Sequence, residues 1–177
     1  RGEGEELGVV SADGTPAPRA PRQARTRPHL LTHTAGFGYA NWDTNIKRDV
    51  ETTQLPASNS GDIRGLMTPL LFDPGDRWLY STAIDWAGIF VEEVSGQSLG
   101  AYMRDHIFEP LGMQDTGFRI SGEMRRRKAT VHRRLEGGQL ETTGMETPQN
   151  PPAEMGGGGL YSCAGDYLKF IRMILNN

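Results

Sequence analysis

Apolar residues recur three or four positions apart in several stretches of the chain, which is the spacing of one face of an α-helix. The stretches with this spacing are 63–71, 84–94, 99–108 and 166–175. Asp62 is a suitable cap for the first, which we expect to end before the turn Asp73-Pro74-Gly75. The second is closed by Gly96, and the third lies between Ser98 and Pro110. We therefore predict four helices.

The final stretch is amphipathic. Its apolar face carries Tyr167, Phe170, Ile171 and Ile174.

Residues 129–134 and 139–143 flank Glu136-Gly137-Gly138, which predicts a β-hairpin. The four glycines at 156–159 predict a bend that few other residues tolerate. Helices combined with a hairpin and many glycines place the chain in the α+β class.

Residues 1–28 differ in composition from the rest of the chain. Prolines alternate there with arginines, at Pro16, Pro18, Arg19, Pro21, Arg22, Arg25, Arg27 and Pro28. Prolines at this density disfavour a helix, so we predict an extended, solvated connector. Residues 29–177 are then expected to form the globular part.

Charge and composition limit the kinds of partner. The 177 residues carry a formal net charge of -3, whereas a nucleic-acid or membrane-surface protein needs a basic face. No apolar run approaches the roughly 20 residues of a membrane helix. The single cysteine, Cys163, forms no internal disulfide and leaves the redox compartment open. We therefore expect neither a nucleic acid nor a membrane as partner.

His29 and His33 are four residues apart, which is the spacing of two zinc ligands on a helix. Leu30 stands where zinc proteases carry the glutamate that acts as a general base, and no carboxylate ligand follows at a suitable distance. A structural role for both histidines is therefore favoured, and no metal is expected.

The sequence also gives little support to two kinds of catalytic nucleophile, a serine in a nucleophile elbow and a reactive cysteine. No serine has a glycine two residues before and two residues after it, which excludes the nucleophile elbow of α/β-hydrolases. Cys163 lies between Ser162 and Ala164, where a lone cysteine is more often a small buried residue than a reactive thiol.

Tyr80 attracts attention because the turn Asp73-Pro74-Gly75 leads through Trp78 to this tyrosine just before a predicted helix. The positive end of that helix stabilises negative charge, which suits a chemical role. A packed tyrosine whose hydroxyl bonds a carbonyl oxygen fits equally well. Spacing alone favours packing.

Four segments, in the same order along the chain, resemble those of serine β-lactamase-like and penicillin-binding-protein-like enzymes. The segments are LLTHTAGF at 30–37, DPG…WLYS at 73–81, IFEPLGMQDT at 107–116 and GGGLYS…DY at 157–167. The match covers about residues 27–177. Asp85-Trp86-Ala87-Gly88 is most similar to the esterase and acyltransferase branch, which includes family VIII carboxylesterases and lovastatin-type acyltransferases.

The resemblance implies a β-lactamase/transpeptidase-like fold and an acyl-enzyme mechanism without metal or organic cofactor. In this family a serine in S-x-x-K attacks the substrate, a tyrosine in Y-x-N assists proton transfer, and a K-T-G-like strand completes the oxyanion hole. Tyr80 matches the tyrosine and is the one catalytic residue carried over. Thr82 replaces the asparagine, which favours esters over β-lactams. Trp78, Thr82, Tyr39 and Trp42 are candidate substrate-binding residues.

No serine in the chain has a lysine three residues later, and no K-T-G-like segment is present. We therefore expect a partial domain, mainly the helical subdomain, that is inactive alone and self-associates through uncovered apolar surface. The parent activity is expected to be hydrolysis of a small ester by a carboxylesterase. Alternatives are an acyltransferase, a β-lactam hydrolase or a non-catalytic scaffold.

Overall fold

The computed structural model describes residues 20–176. Its α-helices are α1 (Arg27–Leu31), α2 (Thr44–Thr53), α3 (Ala83–Ser95), α4 (Leu99–Met103), α5 (Gly122–Arg127) and α6 (Ala164–Leu175). A 3-10 helix spans Ile63–Leu66, a π-helical turn spans Arg104–Phe108, and strands β1 (His132–Arg134) and β2 (Leu140–Thr142) pair antiparallel. The chain divides into two compact units, one running up to Leu99 and including Pro151–Gly158, the other comprising Gly100–Asn150 and the chain from Gly159 onward.

Most predicted elements are confirmed close to their predicted bounds. Helix α3 ends at Gly96, whose φ of 71° suits the left-handed end of a helix. Helix α4 and the π-helical turn together fill the predicted 99–108. The hairpin forms with Arg134 opposite Leu140, and α6 covers the predicted C-terminal helix.

Two predictions about helix limits are wrong. The helix expected over 63–71 is a single 3-10 turn that ends at Leu66, because Pro69 disfavours helical geometry at Thr68. The segment 1–28 is not extended to its end, since α1 begins at Arg27 with Pro28 in its first turn. Proline is tolerated there because the first-turn N–H groups have no helical partner. The rest of that prediction, for residues 1–19, lies outside the described residues.

Helix α2 was not predicted. Asp43 caps it, with its Oδ1 accepting hydrogen bonds from the backbone N–H groups of Asn45 (2.9 Å) and Ile46 (3.1 Å). Ile46 is buried and packs with Leu71 and Phe72 in one of the apolar clusters of the first unit.

A second apolar cluster of the first unit contains Phe37, Leu70 and Ala83. Packing of this cluster requires the backbone at Gly36 to lie close to the backbone at Leu71. The N–H of Leu71 donates to the carbonyl of Gly36 over 2.8 Å. Gly36 has a φ of 94°, and a Cβ there would lie 2.4 Å from the carbonyl oxygen of Phe72. Only glycine satisfies both conditions.

The second unit is tied together by a buried carboxylate at the start of α6. Asp166 Oδ2 accepts the backbone N–H of Asp115 (2.7 Å) and the hydroxyl of Thr116 (3.1 Å). Its Oδ1 lies 2.8 Å from Lys169 Nζ. Although burial acts in the opposite direction, the hydrogen bonds from Lys169, Asp115 and Thr116 lower the pKa of Asp166.

Helix α6 itself leaves much of its apolar surface open. Its exposed large apolar side chains are Tyr167, Leu168, Ile174 and Leu175. Across residues 20–176, no helix combines the length and the apolar character that crossing a membrane requires.

Candidate active site

Tyr80 lies between the turn at Gly75 and the start of α3. The N–H of Gly75 donates to the carbonyl of Thr34 (2.8 Å), and the N–H of Leu79 donates to the carbonyl of His33 (2.9 Å). These two bonds hold the segment that leads to Tyr80 against the chain at 33–34. Tyr80 is half-exposed there, so its side chain can reach a bound molecule.

Two aromatic rings flank Tyr80. The ring of His33 lies 4.7 Å from that of Tyr80, and the ring of Tyr39 lies 5.5 Å away. His33 has a φ of 55°, which is unusual for a residue with a side chain and is found most often where surrounding contacts enforce it.

One ring nitrogen of His33 is held by a backbone hydrogen bond. Its Nδ1 accepts the backbone N–H of Ser81 over 3.2 Å, which places the proton of the neutral imidazole on Nε2. Burial lowers the pKa of His33, and the charge of Asp85 opposes that effect. Ser81 itself is buried, so its hydroxyl, 3.4 Å from His33 Nδ1, does not reach a substrate.

Tyr39 interacts electrostatically with Asp85, a carboxylate in the first turn of α3. Burial, together with the charges of Asp85 and Tyr80, raises the pKa of Tyr39 to about 12. Tyr39 is therefore a neutral phenol at physiological pH.

Asp85 also binds the glycine bend that the sequence predicted. Its Oδ1 accepts the backbone N–H of Gly157 over 2.8 Å. Burial raises the pKa of Asp85, while the hydrogen bond from Gly157 acts in the opposite direction. The desolvation of this carboxylate is the larger effect.

A cleft of about 470 Å³ opens beside Tyr80. Four of the five predicted site residues line it, namely Tyr39, Trp42, Tyr80 and Thr82. The fifth, Trp78, is not among the residues lining this cleft; it is 65% exposed, and its ring meets His33 edge-on at 6.3 Å. Ile46 and Val50 supply an aliphatic wall to the cleft.

The floor of the cleft contains two threonines. Thr68 and Thr82 are each 2% exposed, and their hydroxyl oxygens find no hydrogen-bond partner among the described residues. Thr82 is also the residue immediately before α3, yet its side chain makes no capping bond to the helix.

Sequence reasoning did not assign His33 or Asp85 to the site. The spacing of His29 and His33 favours only a structural role for His33, although this residue lies within the family-like segment at 30–37. The available signal for Asp85 was a carboxylate among the apolar residues of α3. Its partner Gly157 is 72 residues away, so no local pattern indicated the contact.

Among the described residues, the structure gives no support to the other candidates, His29 and Cys163. His29 Nδ1 accepts the backbone N–H of Thr26 (3.3 Å), and in residues 20–176 no cluster of three metal-ligating side chains occurs. Cys163 lines a separate cavity of about 360 Å³ in the second unit, with its Sγ 4.0 Å from a carboxylate oxygen of Asp115. None of the residues that line this cavity is a histidine.

Known structures share this fold. The chain superposes on a variant of simvastatin synthase from Aspergillus terreus with a TM-score of 0.82 and 31% identity, over 96% of this chain and 41% of that one. It also superposes on the octameric penicillin-binding protein homologue from Pyrococcus abyssi, with a TM-score of 0.63 and 25% identity over 88% and 36% of the two chains. The fold is therefore β-lactamase/transpeptidase-like, α+β, and the chain represents part of that domain.

The chain belongs to the β-lactamase family, whose model matches residues 15–177. Protein Rv1367c of Mycobacterium tuberculosis is 38% identical over 88% of the chain. Monacolin J acid methylbutanoyltransferase of Aspergillus terreus is 31% identical over 85%, and lovastatin esterase of Penicillium rubens is 31% identical over 93%. The chain spans 40%, 38% and 43% of these relatives, respectively. The resemblance inferred from the four sequence segments is thus confirmed, and the family comprises serine hydrolases and acyltransferases.

Proposed function

We propose that this chain is the tyrosine-bearing part of a serine carboxylesterase that cleaves small esters through an acyl-enzyme. The observation that carries the proposal is the position of Tyr80, half-exposed before α3 and lining the cleft. In the family, a tyrosine matching this position relays the proton between the serine hydroxyl and the departing alcohol. The nucleophile and the oxyanion strand are proposed to lie in flanking sequence.

The surroundings of Tyr80 support a chemical role over packing. A packed tyrosine in a protein interior is buried with its hydroxyl on a fixed acceptor. Tyr80 instead exposes 49% of its surface. The rings of His33 and Tyr39, 4.7 Å and 5.5 Å away, restrain its orientation. Restraint combined with exposure is what a proton relay requires.

Acyl transfer is a second candidate. Relatives at the same 31% identity are named as an esterase and as a methylbutanoyltransferase. The two reactions share the acyl-enzyme and differ in whether water or an alcohol accepts the acyl group. The cleft described here suits the acyl part of either substrate, so esters of short branched acids serve as probes of both.

The test uses a full-length protein whose coding sequence encloses this chain. Tyr80→Phe removes one hydroxyl, and we expect kcat on a p-nitrophenyl butyrate substrate to fall roughly 100- to 10,000-fold, the range of general acid–base assistance. The melting temperature should stay nearly unchanged. Tyr102→Phe, which removes a hydroxyl in the second unit, is the matched control and should retain kcat. Near-normal kcat in Tyr80→Phe would remove Tyr80 from the mechanism.

We further propose that the isolated chain is inactive, because little rate enhancement remains without a nucleophile and an oxyanion hole. Hydrolysis of p-nitrophenyl acetate by the purified chain should match the buffer blank. Saturable turnover that a serine-directed phosphonate abolishes would contradict this.

Self-association of the chain is proposed on the open apolar surface of α6, and a structural relative is described as octameric. Sedimentation equilibrium should show a mass that increases with concentration. A monomer at all concentrations would contradict it.

A further inference from the structure

His33 is the second residue after α1, and its backbone has the left-handed conformation that commonly ends a helix. Its φ is 55°. The N–H of Thr34 donates to the carbonyl of His29 over 2.9 Å, which closes the end of the helix. Glycine is the usual residue at such a position, and asparagine is also found there. Histidine suits this backbone less well than glycine, so its side chain is a candidate for a role other than ending the helix.

Two hydrogen bonds of His33 hold the residues on either side of Tyr80. The carbonyl of His33 accepts the N–H of Leu79 over 2.9 Å. The Nδ1 of His33 accepts the N–H of Ser81 over 3.2 Å. One residue therefore fixes the backbone immediately before and immediately after the proposed proton relay.

The second of these bonds is linked to the start of α3. The hydroxyl oxygen of Ser81 lies 3.4 Å from His33 Nδ1 and also accepts the N–H of Ala83 over 3.4 Å. Ala83 is the first residue of α3, and Ser81 is 1% exposed. His33 thus connects the end of α1 to the start of α3, and Tyr80 lies in the segment between its two anchors.

The ring of His33 also contacts the ring of Tyr80. Their centroids are 4.7 Å apart, and the planes are inclined by 48°. His33 is not among the residues that line the cleft, whereas Tyr80 is. The described contacts of His33 are therefore with the tyrosine and its neighbours, and not with the space where a substrate would bind.

We propose that His33 is a positioning residue that sets the orientation of Tyr80 by holding the backbone on both sides of it. The inference rests on the proposed role of Tyr80. Burial lowers the pKa of His33, against the charge of Asp85, and this favours the form of the ring whose Nδ1 is free to accept.

The first experiment measures the orientation of Tyr80 in the 177-residue chain, labelled with ¹³C and ¹⁵N. Three-bond couplings from the Tyr80 Cγ to its own backbone nitrogen and carbonyl carbon report the rotamer at χ1. The unmodified chain should show the couplings of a single rotamer. His33→Gly removes the side chain and tolerates the positive φ, and it should average these couplings.

His33→Asn is the conservative variant. Asparagine also tolerates the positive φ, and it carries Oδ1 on Cγ where histidine carries Nδ1, so it can accept the Ser81 N–H. It should keep the single rotamer of Tyr80. His106→Ala is the matched control, because the ring of His106 lies 4.4 Å from that of Tyr102 in the second unit. It should leave the Tyr80 couplings unchanged.

Tyr80 couplings that are averaged already in the unmodified chain, or that stay unchanged in His33→Gly, would overturn the proposal. His33→Asn decides the matter if His33→Gly fails to fold. Averaged Tyr80 couplings in His33→Asn would show that the bond to Ser81 does not set the rotamer, and the proposal would be wrong.

The second experiment measures kcat and KM of both variants in the full-length protein with p-nitrophenyl butyrate. Loss of orientation in His33→Gly should lower kcat roughly 10- to 100-fold. KM should stay nearly unchanged, because His33 does not line the cleft. His33→Asn should keep kcat within roughly fivefold, since only the contact between the rings is lost.

Equal kcat values for His33→Gly and His33→Asn in an active parent, whether both normal or both reduced, would overturn the inference. An inactive parent would instead contradict the proposed function, while the couplings of Tyr80 would still test its link to His33.

Discussion

Asp85 in the first unit and Asp166 in the second occupy equivalent places in their helices. Each is the third residue of its helix, α3 or α6, and each is 4% exposed. Each accepts a backbone N–H from a distant segment, at 2.8 Å from Gly157 and 2.7 Å from Asp115. The two carboxylates nevertheless have pKa values shifted in opposite directions.

The difference lies in their other partners. Asp166 has the ammonium group of Lys169 and the hydroxyl of Thr116, and its pKa is lowered despite burial. Burial raises the pKa of Asp85, and the hydrogen bond from the Gly157 N–H offsets only part of that effect. A carboxylate with a lowered pKa stabilises the fold when ionised, whereas one with a raised pKa weakens it. An ionised carboxylate at the same position in a helix therefore stabilises the fold in one unit and weakens it in the other.

Removing the stabilising carboxylate should have the largest effect on stability. Asp166→Asn loses the ion pair with Lys169 and weakens the bond to the Asp115 N–H, so unfolding should become easier by about 1–3 kcal/mol at pH 7. The contribution of Asp166 is present above the ordinary aspartate pKa of about 3.9 and is lost as pH falls through its lowered value. Urea unfolding at pH 7 and pH 3 should show the deficit shrinking at the lower pH. A deficit that is equal at both would contradict the assigned electrostatics.

A methyl group placed close to Asp85 should lower the stability of the fold by somewhat less than the loss of Asp166. Gly157→Ala places a methyl group 3.0 Å from Asp85, so the bend must shift by a few tenths of an ångström, with a loss of about 1–2 kcal/mol. Gly158 is the matched control, because a Cβ there meets nothing within 4 Å. Gly158→Ala should change the melting temperature little. Equal effects of the two substitutions would show that the bend does not depend on its contact with Asp85.

Local signals in the sequence predicted much of the fold. Helix α3 was found from its apolar spacing and Gly96, and the hairpin from the glycines between its strands. Helix α2 was missed because its apolar positions are few, with Ile46 and Val50 among mainly polar residues. The prediction of a helix over 63–71 was wrong because Pro69 disfavours helical geometry at the preceding residue, despite the helical spacing of the apolar residues.

The site was predicted less completely than the fold. Tyr80 and the cleft residues Tyr39, Trp42 and Thr82 were named from the family resemblance, and the structure brings these four together. Asp85 was not named, because its environment depends on a contact with Gly157, which is 72 residues distant along the chain. Contacts between such distant residues form only on folding, so the periodicity and spacing of residues along the sequence do not indicate them.

The central claim is that Asp166 stabilises the fold at pH 7 and that the charge of Asp85 weakens it. The most direct test is to measure the melting temperatures of Asp85→Asn and Asp166→Asn side by side at pH 7. An asparagine at position 85 still accepts the Gly157 N–H and carries no buried charge, so Asp85→Asn should keep or raise the melting temperature. Asp166→Asn should lower the melting temperature, because it loses the ion pair with Lys169. If both variants lower the melting temperature to the same extent, the claim is contradicted.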